Sequence, residues 1–321
     1  MLENFKKAIF RALCLCCVLI GGGGLMAEPN PEELFDLGVK SIEAKDYIQA
    51  KKYFEKACDL KYGGGCGALG DLYDDVEKNL IKAAQYASKA CDLNNGSGCG
   101  TLGFLYGMGK GVEKNLIKAA YFYSKACELK DGLGCKDLGA LYYNGKGVEK
   151  DLIKAAYLYS KACDLKEGLG CFNLGALYYN GKGVEKDLIK AAYLYSKACD
   201  LKEGLGCFNL GALYYNGKGV EKDLIKAAYL YSKACDLKEG LGCFNLGALY
   251  YNGKGVEKDL IKAAYLYSKA CDLKEGLGCF NLGALYYNGK GVEKDLTKAA
   301  YFYSKACKLG SQLACEMLKE K

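Results

Sequence analysis

The chain has 321 residues, is 51% hydrophobic and 26% charged, and carries a formal charge of +7, so it has ample material for a buried core. It contains no histidine and no tryptophan, and its one arginine is Arg11. It therefore lacks the commonest general base and transition-metal ligand, and beyond Arg11 the planar fork that grips carboxylates and phosphates.

Residues 1–27 read as a signal peptide. Lys6, Lys7 and Arg11 give a positive start, "ALCLCCVLIGGGGLM" a short apolar stretch, and Ala27 a small residue before a cleavage point. A retained membrane anchor is the alternative, although the run is short and rich in glycine for a spanning helix. Cleavage after Ala27 removes Lys6, Lys7, Arg11 and Glu3 and lowers the charge from +7 to +5. The remaining charge is spread as lysines alternating with acids. No basic stripe stands out, and nucleic acid is not an expected partner.

The next segment, residues 28–62, contains "ELFDLGVKSIEAKDYIQAKKYFEKAC", a helical hairpin pattern. From there to residue 310 a unit of 36 residues recurs, first shortened to 33 where "DLYDDVEK" (71–78) lacks the "NGKG" of later units. Residues 171–206, 207–242 and 243–278 are identical to one another. A period of this size signals a solenoid whose units bury their apolar faces on their neighbours. Within one unit, Cys171, Leu174, Leu177 and Tyr178 share a face of a first helix, and Gly175 lies at its edge for close helix approach. Gly181 and Gly183 end that helix. Asp187 is the N-cap of a second helix with Leu188, Ala191, Ala192, Tyr195, Ala198 and Cys199 on its inner face and Lys190, Tyr193 and Lys197 outside. "DLKEGLG" (200–206) is read as the turn into the next unit. Eight such pairs and a last capping helix over about Ser311–Glu320, within residues 311–321, make an all-α chain with no strand signal.

"LGALYYNGKGVEKDLIKAAYLYSKAC" (174–199) resembles the Sel1-like repeat, a relative of the tetratricopeptide repeat, and residues 28–62 resemble a plain tetratricopeptide unit. With its cysteine pairs and signal segment, the whole resembles the Hcp family of secreted cysteine-rich Sel1-like proteins. The resemblance implies a right-handed α/α superhelix, an extracellular or periplasmic location, and a β-lactamase label.

The mature chain keeps 16 of the 19 cysteines, in eight pairs spaced by eight residues. Export favours oxidation, and the seven-residue connection lets the ends of consecutive helices meet. The expected bridges are Cys58–Cys66, Cys91–Cys99, Cys127–Cys135, Cys163–Cys171, Cys199–Cys207, Cys235–Cys243, Cys271–Cys279 and Cys307–Cys315. Each is worth up to about 2.5 kcal/mol by chain entropy. Zinc would need four cysteines per site, while each turn offers two. A redox catalyst would want C-x-x-C, which no mature pair has. No metal and no cofactor is expected.

The β-lactamase label finds no support in motifs. S-x-x-K, S-D-N and K-T-G are all missing, and Ser196 and Lys197 are helix neighbours pointing about 100° apart. No catalytic residue can be named; a hydrolase acting on the β-lactam ring is the alternative that the resemblance alone supplies. "GKGV" follows a helix, not a strand, so it is a glycine-capped turn and not a phosphate loop.

The stronger functional candidate is the inner curve, lined in tetratricopeptide-like solenoids by first helices. A helical wheel places Asn173, Asn180 and Tyr179 opposite the packing face, with Asn209, Asn216, Tyr215, Asn245, Asn252, Tyr251, Asn281, Asn288 and Tyr287 as their equivalents. Amides can bind a peptide backbone through donor and acceptor alike, and tyrosines add stacking area. Phe172 and its counterparts join this set, with packing between neighbouring first helices as the alternative role for the aromatic residues. The expectation is a monomeric scaffold whose concave face takes a peptide or protein ligand from the host or the cell envelope, with peptidoglycan fragments or β-lactams as further candidates.

Overall fold

The computed structural model describes residues 30–318. The signal segment expected at 1–27 and Glu320, the expected end of the last helix, lie outside the described residues. Every regular element among the described residues is an α-helix. They form eight hairpins: α1 (Pro31–Glu43) with α2 (Tyr47–Asp59), α3 (Gly63–Asp75) with α4 (Leu80–Asp92), α5 (Gly96–Met108) with α6 (Leu116–Glu128), α7 (Gly132–Asn144) with α8 (Leu152–Asp164). Then come α9 (Gly168–Asn180) with α10 (Leu188–Asp200), α11 (Gly204–Asn216) with α12 (Leu224–Asp236), α13 (Gly240–Asn252) with α14 (Leu260–Asp272), and α15 (Gly276–Asn288) with α16 (Leu296–Lys308). The short α17 (Gln312–Met317) closes the stack.

Local chemistry starts each second helix. Asp187 Oδ1 accepts the backbone N–H of Lys190 at 2.9 Å, as the N-cap reading expects. The inner face of α10 then presents Ala191, Ala192, Tyr195, Ala198 and Cys199, all buried. The alanines let first and second helices lie close. Lys190, on the outer side, reaches back over the Tyr178 ring at 4.3 Å. One core cluster joins Tyr195 and Cys199 of α10, Cys207, Leu210 and Leu213 of α11, and Leu230 and Ala234 of α12. Burying one such leucine contributes about 1.5–3 kcal/mol. No unit can assemble this core alone, because three consecutive helices supply it.

The inter-unit turn is shorter than its sequence suggests. "GLG" belongs to the next helix, since α11 begins at Gly204, which leaves Leu201–Glu203 as the link. Two features allow this. Lys202 takes the left-handed region at φ 64°, and the Glu203 N–H donates to the Ala198 carbonyl at 2.9 Å. Gly206 then passes so near α10 that a Cβ there would stand 2.6 Å from Ala198 Cβ and 2.8 Å from Cys199 N. Glycines that disfavour an isolated helix are thus required by the contact that follows. That approach brings Cys199 and Cys207 to a Cα separation of 4.5 Å, where they are bridged.

All eight cysteine pairs are bridged within their own C-x7-C, and the cysteines in them are buried or nearly so. Gly183 makes a second link between units. Its φ is 71°, and a Cβ would lie 2.3 Å from the Leu152 carbonyl oxygen at the start of α8. Exposed ion pairs such as Lys233–Asp200 at 3.8 Å join successive second helices on the outside. Pairs of this kind add little.

Replacing Cys199 and Cys207 together by alanine is expected to lower local stability by about 2 kcal/mol. Hydrogen exchange measured on the oxidised protein should speed up about thirtyfold in α10 and α11. It should stay unchanged in α1 to α3, because stability in a solenoid couples mainly nearest neighbours.

Candidate ligand-binding groove

Successive first helices approach one another more closely than successive second helices do. That is the arrangement of a curved stack with first helices inside. The inner wall carries two depressions of different chemistry.

The depression near the C-terminal end, about 290 Å³, is formed by α13, α14 and α15. It is lined by Tyr251 and Asn252, by Tyr267, and by Asn281, Asn288 and Lys290. Four of the residues singled out in the sequence thus meet in one place. Asn180, Asn216, Asn252 and Asn288 are exposed, and each donates one amide N–H to the carbonyl four residues before it at 2.8 Å. The bond orients the amide and leaves its oxygen and second N–H for other partners. Asn209 and Asn245 are half-buried and make the same bond to Leu205 and Leu241 at 2.9 Å. Asn281 hydrogen-bonds Tyr267. Asn173, also half-buried, holds the equivalent place on α9.

The aromatic residues divide between two tasks. Phe172 is half-buried and packs on Tyr195 with ring centroids 5.8 Å apart, and Phe208 and Phe244 repeat that contact. Its role is packing between the two helices of its own hairpin. Tyr179, Tyr215 and Tyr251 are half-buried against the same cores, whereas Tyr287 is 41% exposed. Burial, helped by the neighbouring Tyr179, pushes the Tyr195 hydroxyl up to about 12, so it stays a neutral donor.

The second depression, about 630 Å³, lies on α3, α5 and α7. Its charged lining is Asp71, Asp74, Asp75, Asp131, Asp137 and Lys136. Sequence reasoning passed over these aspartates. The signal available was "DLYDDVEK", three acids on one helical turn and a half in the unit that departs from the repeat. Asp71 is half-buried in the wall of the groove. Loss of hydration, then the charges of Asp75 and Asp74, push its carboxyl up to about 7. Asp131 is also raised by burial, although it accepts the Gly134 N–H at 2.6 Å as the cap of α7.

Ser196 is half-buried, and the Lys197 ammonium lies toward Asp164 at 3.9 Å and the Tyr193 ring at 5.7 Å. Among the described residues, no three His, Cys, Asp or Glu side chains are gathered as metal ligands, and no helix is long and apolar enough to cross a membrane.

The family model described as Sel1 repeat matches residues 34–62, 65–95, 101–131, 133–167, 168–203, 204–239, 240–275 and 276–311. The chain belongs to the Sel1 repeat family. The opening hairpin, read from sequence as a plain tetratricopeptide unit, is matched as a Sel1 repeat with the others. HcpC of Helicobacter pylori is 59% identical over 83 residues, 25% of this chain and 28% of that protein. Beta-lactamase HcpA of the same species is 48% identical over 75 residues, 23% of this chain and 29% of that protein. The matched stretch spans little more than a quarter of these relatives' length. A protective antigen of uropathogenic Escherichia coli with an SLR fold superposes with a TM-score of 0.74 at 26% identity, over 99% of this chain and 66% of that one. A Sel1 repeat protein of Oxalobacter formigenes, 24% identical, gives 0.69 over 90% and 86% and shows the same fold. The Sel1 fold is characteristically a protein-interaction scaffold, and eight disulfides suit an oxidising, extracytoplasmic environment.

Asp71 binds a proton more tightly in the folded chain than the usual carboxylate value near 3.9. Stability is therefore lost as pH rises from about 4 to about 7 and then levels off. Asp71→Asn removes that loss. The variant should match the wild type near pH 4 and exceed it by about 1–4 kcal/mol above pH 7 in the local stability of α3 and α4, read by hydrogen exchange.

Proposed function

We propose that this Sel1 protein is an exported, disulfide-stapled scaffold whose concave groove binds an extended peptide segment of a host or cell-envelope protein. The observation that carries the reading is the meeting of Asn252, Asn281, Asn288 and Tyr251 in one depression on adjacent first helices. Their amides keep an acceptor and a donor free, the two groups a peptide backbone needs. The repetition of the same asparagines on α9, α11, α13 and α15 extends that surface along the stack. Rigidity supports it, because a pre-ordered groove loses little freedom on binding.

The test is capture from a displayed library of random dodecapeptides on immobilised oxidised protein. The wild type should retain peptides. Asn180→Ala, Asn216→Ala and Asn252→Ala combined should weaken the retained peptides at least about tenfold, since each lost hydrogen bond is worth about 0.5–1.5 kcal/mol. Equal capture by the variant would refute the groove.

The second reading is hydrolysis of the β-lactam ring, and the observation favouring it is the name of the HcpA relative. It predicts steady turnover of nitrocefin by the oxidised protein, well above that of alanine-scanned controls. The scaffold reading predicts no difference between them.

A further inference from the structure

The N-terminal depression owes its existence to a change at one position of the repeat. The fifth residue of the first helix is Phe172, Phe208, Phe244 and Phe280 in the last four units, each packed on a tyrosine of the following helix. In α3 and α5 the same position is Gly67 and Gly100. Neither glycine is forced by its surroundings. A Cβ at Gly67 would meet nothing nearer than Asn95 Oδ1 at 3.6 Å, and one at Gly100 nothing nearer than Asp131 Oδ1 at 3.4 Å. These glycines therefore differ from Gly206, where contact demands a bare backbone. What they do is leave open the volume that a phenylalanine occupies elsewhere.

That opening is lined by both charged and apolar side chains. The side chains of Asp71, Asp74 and Asp75 have no hydrogen bond or ion pair among the described residues, and the charges acting on Asp71 are those of Asp75 and Asp74. The cations nearby are otherwise engaged: Lys136 pairs with Asp137 at 2.9 Å, and Lys110 lies over the Phe104 ring at 5.3 Å. Asp71 is half-buried in the wall of the cavity, and no side-chain partner among the described residues repays its lost hydration. Phe35, Phe104 and Leu133 supply apolar walls. The aspartates are not gathered closely enough to ligate a metal ion. A larger cation with an apolar stem fits both surfaces, as the side chains of arginine and lysine do.

We infer that the depression on α3, α5 and α7 is a specificity pocket for an arginine or lysine side chain of the bound peptide, opened by Gly67 and Gly100 and charged by Asp71, Asp74 and Asp75. It rests on the peptide-groove reading and adds selection to it. The asparagine surface reads backbone and so accepts many sequences. The acidic pocket chooses among them.

The same dodecapeptide selection tests this. Peptides retained by the wild type should carry arginine and lysine at least about threefold above their frequency in the starting library. Two variants should lose that bias while still retaining peptides: Asp71→Asn, Asp74→Asn and Asp75→Asn combined, and Gly100→Phe, which places in α5 the residue that α9 already accommodates. Circular dichroism and disulfide mass mapping confirm that each is folded. Replacing the arginines of the tightest wild-type peptide by citrulline, which keeps shape and removes charge, should weaken it at least tenfold. Peptides retained without basic bias, or a bias that survives both variants, would overturn the pocket and leave the groove standing. No peptide retained by any form would overturn both.

Discussion

The architecture depends on one close contact: the end of each second helix against the start of the next first helix. There Ala198, Cys199 and Gly206 lie within van der Waals reach of one another, and Cys207 completes the bond. At this junction the contact combines a residue without a side chain, Lys202 in the left-handed region and a three-residue link. Where those are met, the two cysteine Cα atoms stand 4.5 Å apart and their sulfurs are bonded. The bridge then removes unfolded conformations at the point where each unit is joined to the next. Everything else in a unit, from the alanine-lined helix pair to the tyrosines stacked behind it, is a consequence of that spacing repeated.

Much of this was legible in the residues themselves. The 36-residue period, the helical spacing of Leu174 and Leu177, the cap at Asp187 and the eight-residue cysteine interval led to a helical stack with one bridge per unit. Gly175 was read as a site of close approach, and a Cβ there would stand 2.9 Å from the Tyr195 ring. What escaped was tertiary. "GLG" reads as a turn because three residues with two glycines disfavour a helix, and only the neighbouring helix shows why they are needed. Phe172 looks outward on a wheel of its own helix, yet a tyrosine from the next helix covers it. Of the acidic depression only the run of Asp71, Asp74 and Asp75 shows in the sequence, because the rest of its lining comes from other units.

The two ends of the groove also differ in how they came to be. Three central units are identical, so their inner surfaces offer the same groups at regular steps, suited to features that every peptide shares. The early units have diverged, with glycine for phenylalanine and aspartate for alanine. Such divergence at a place where the fold tolerates the consensus residue points away from packing as its cause.

The local closure of every bridge has a genetic consequence. Since each cysteine finds its partner eight positions away, a whole module can be gained or deleted by recombination without orphaning a thiol. Each ring can close within its own short stretch of chain, without involving the cysteines of later units. The array can thus change length over generations while its oxidative assembly stays the same.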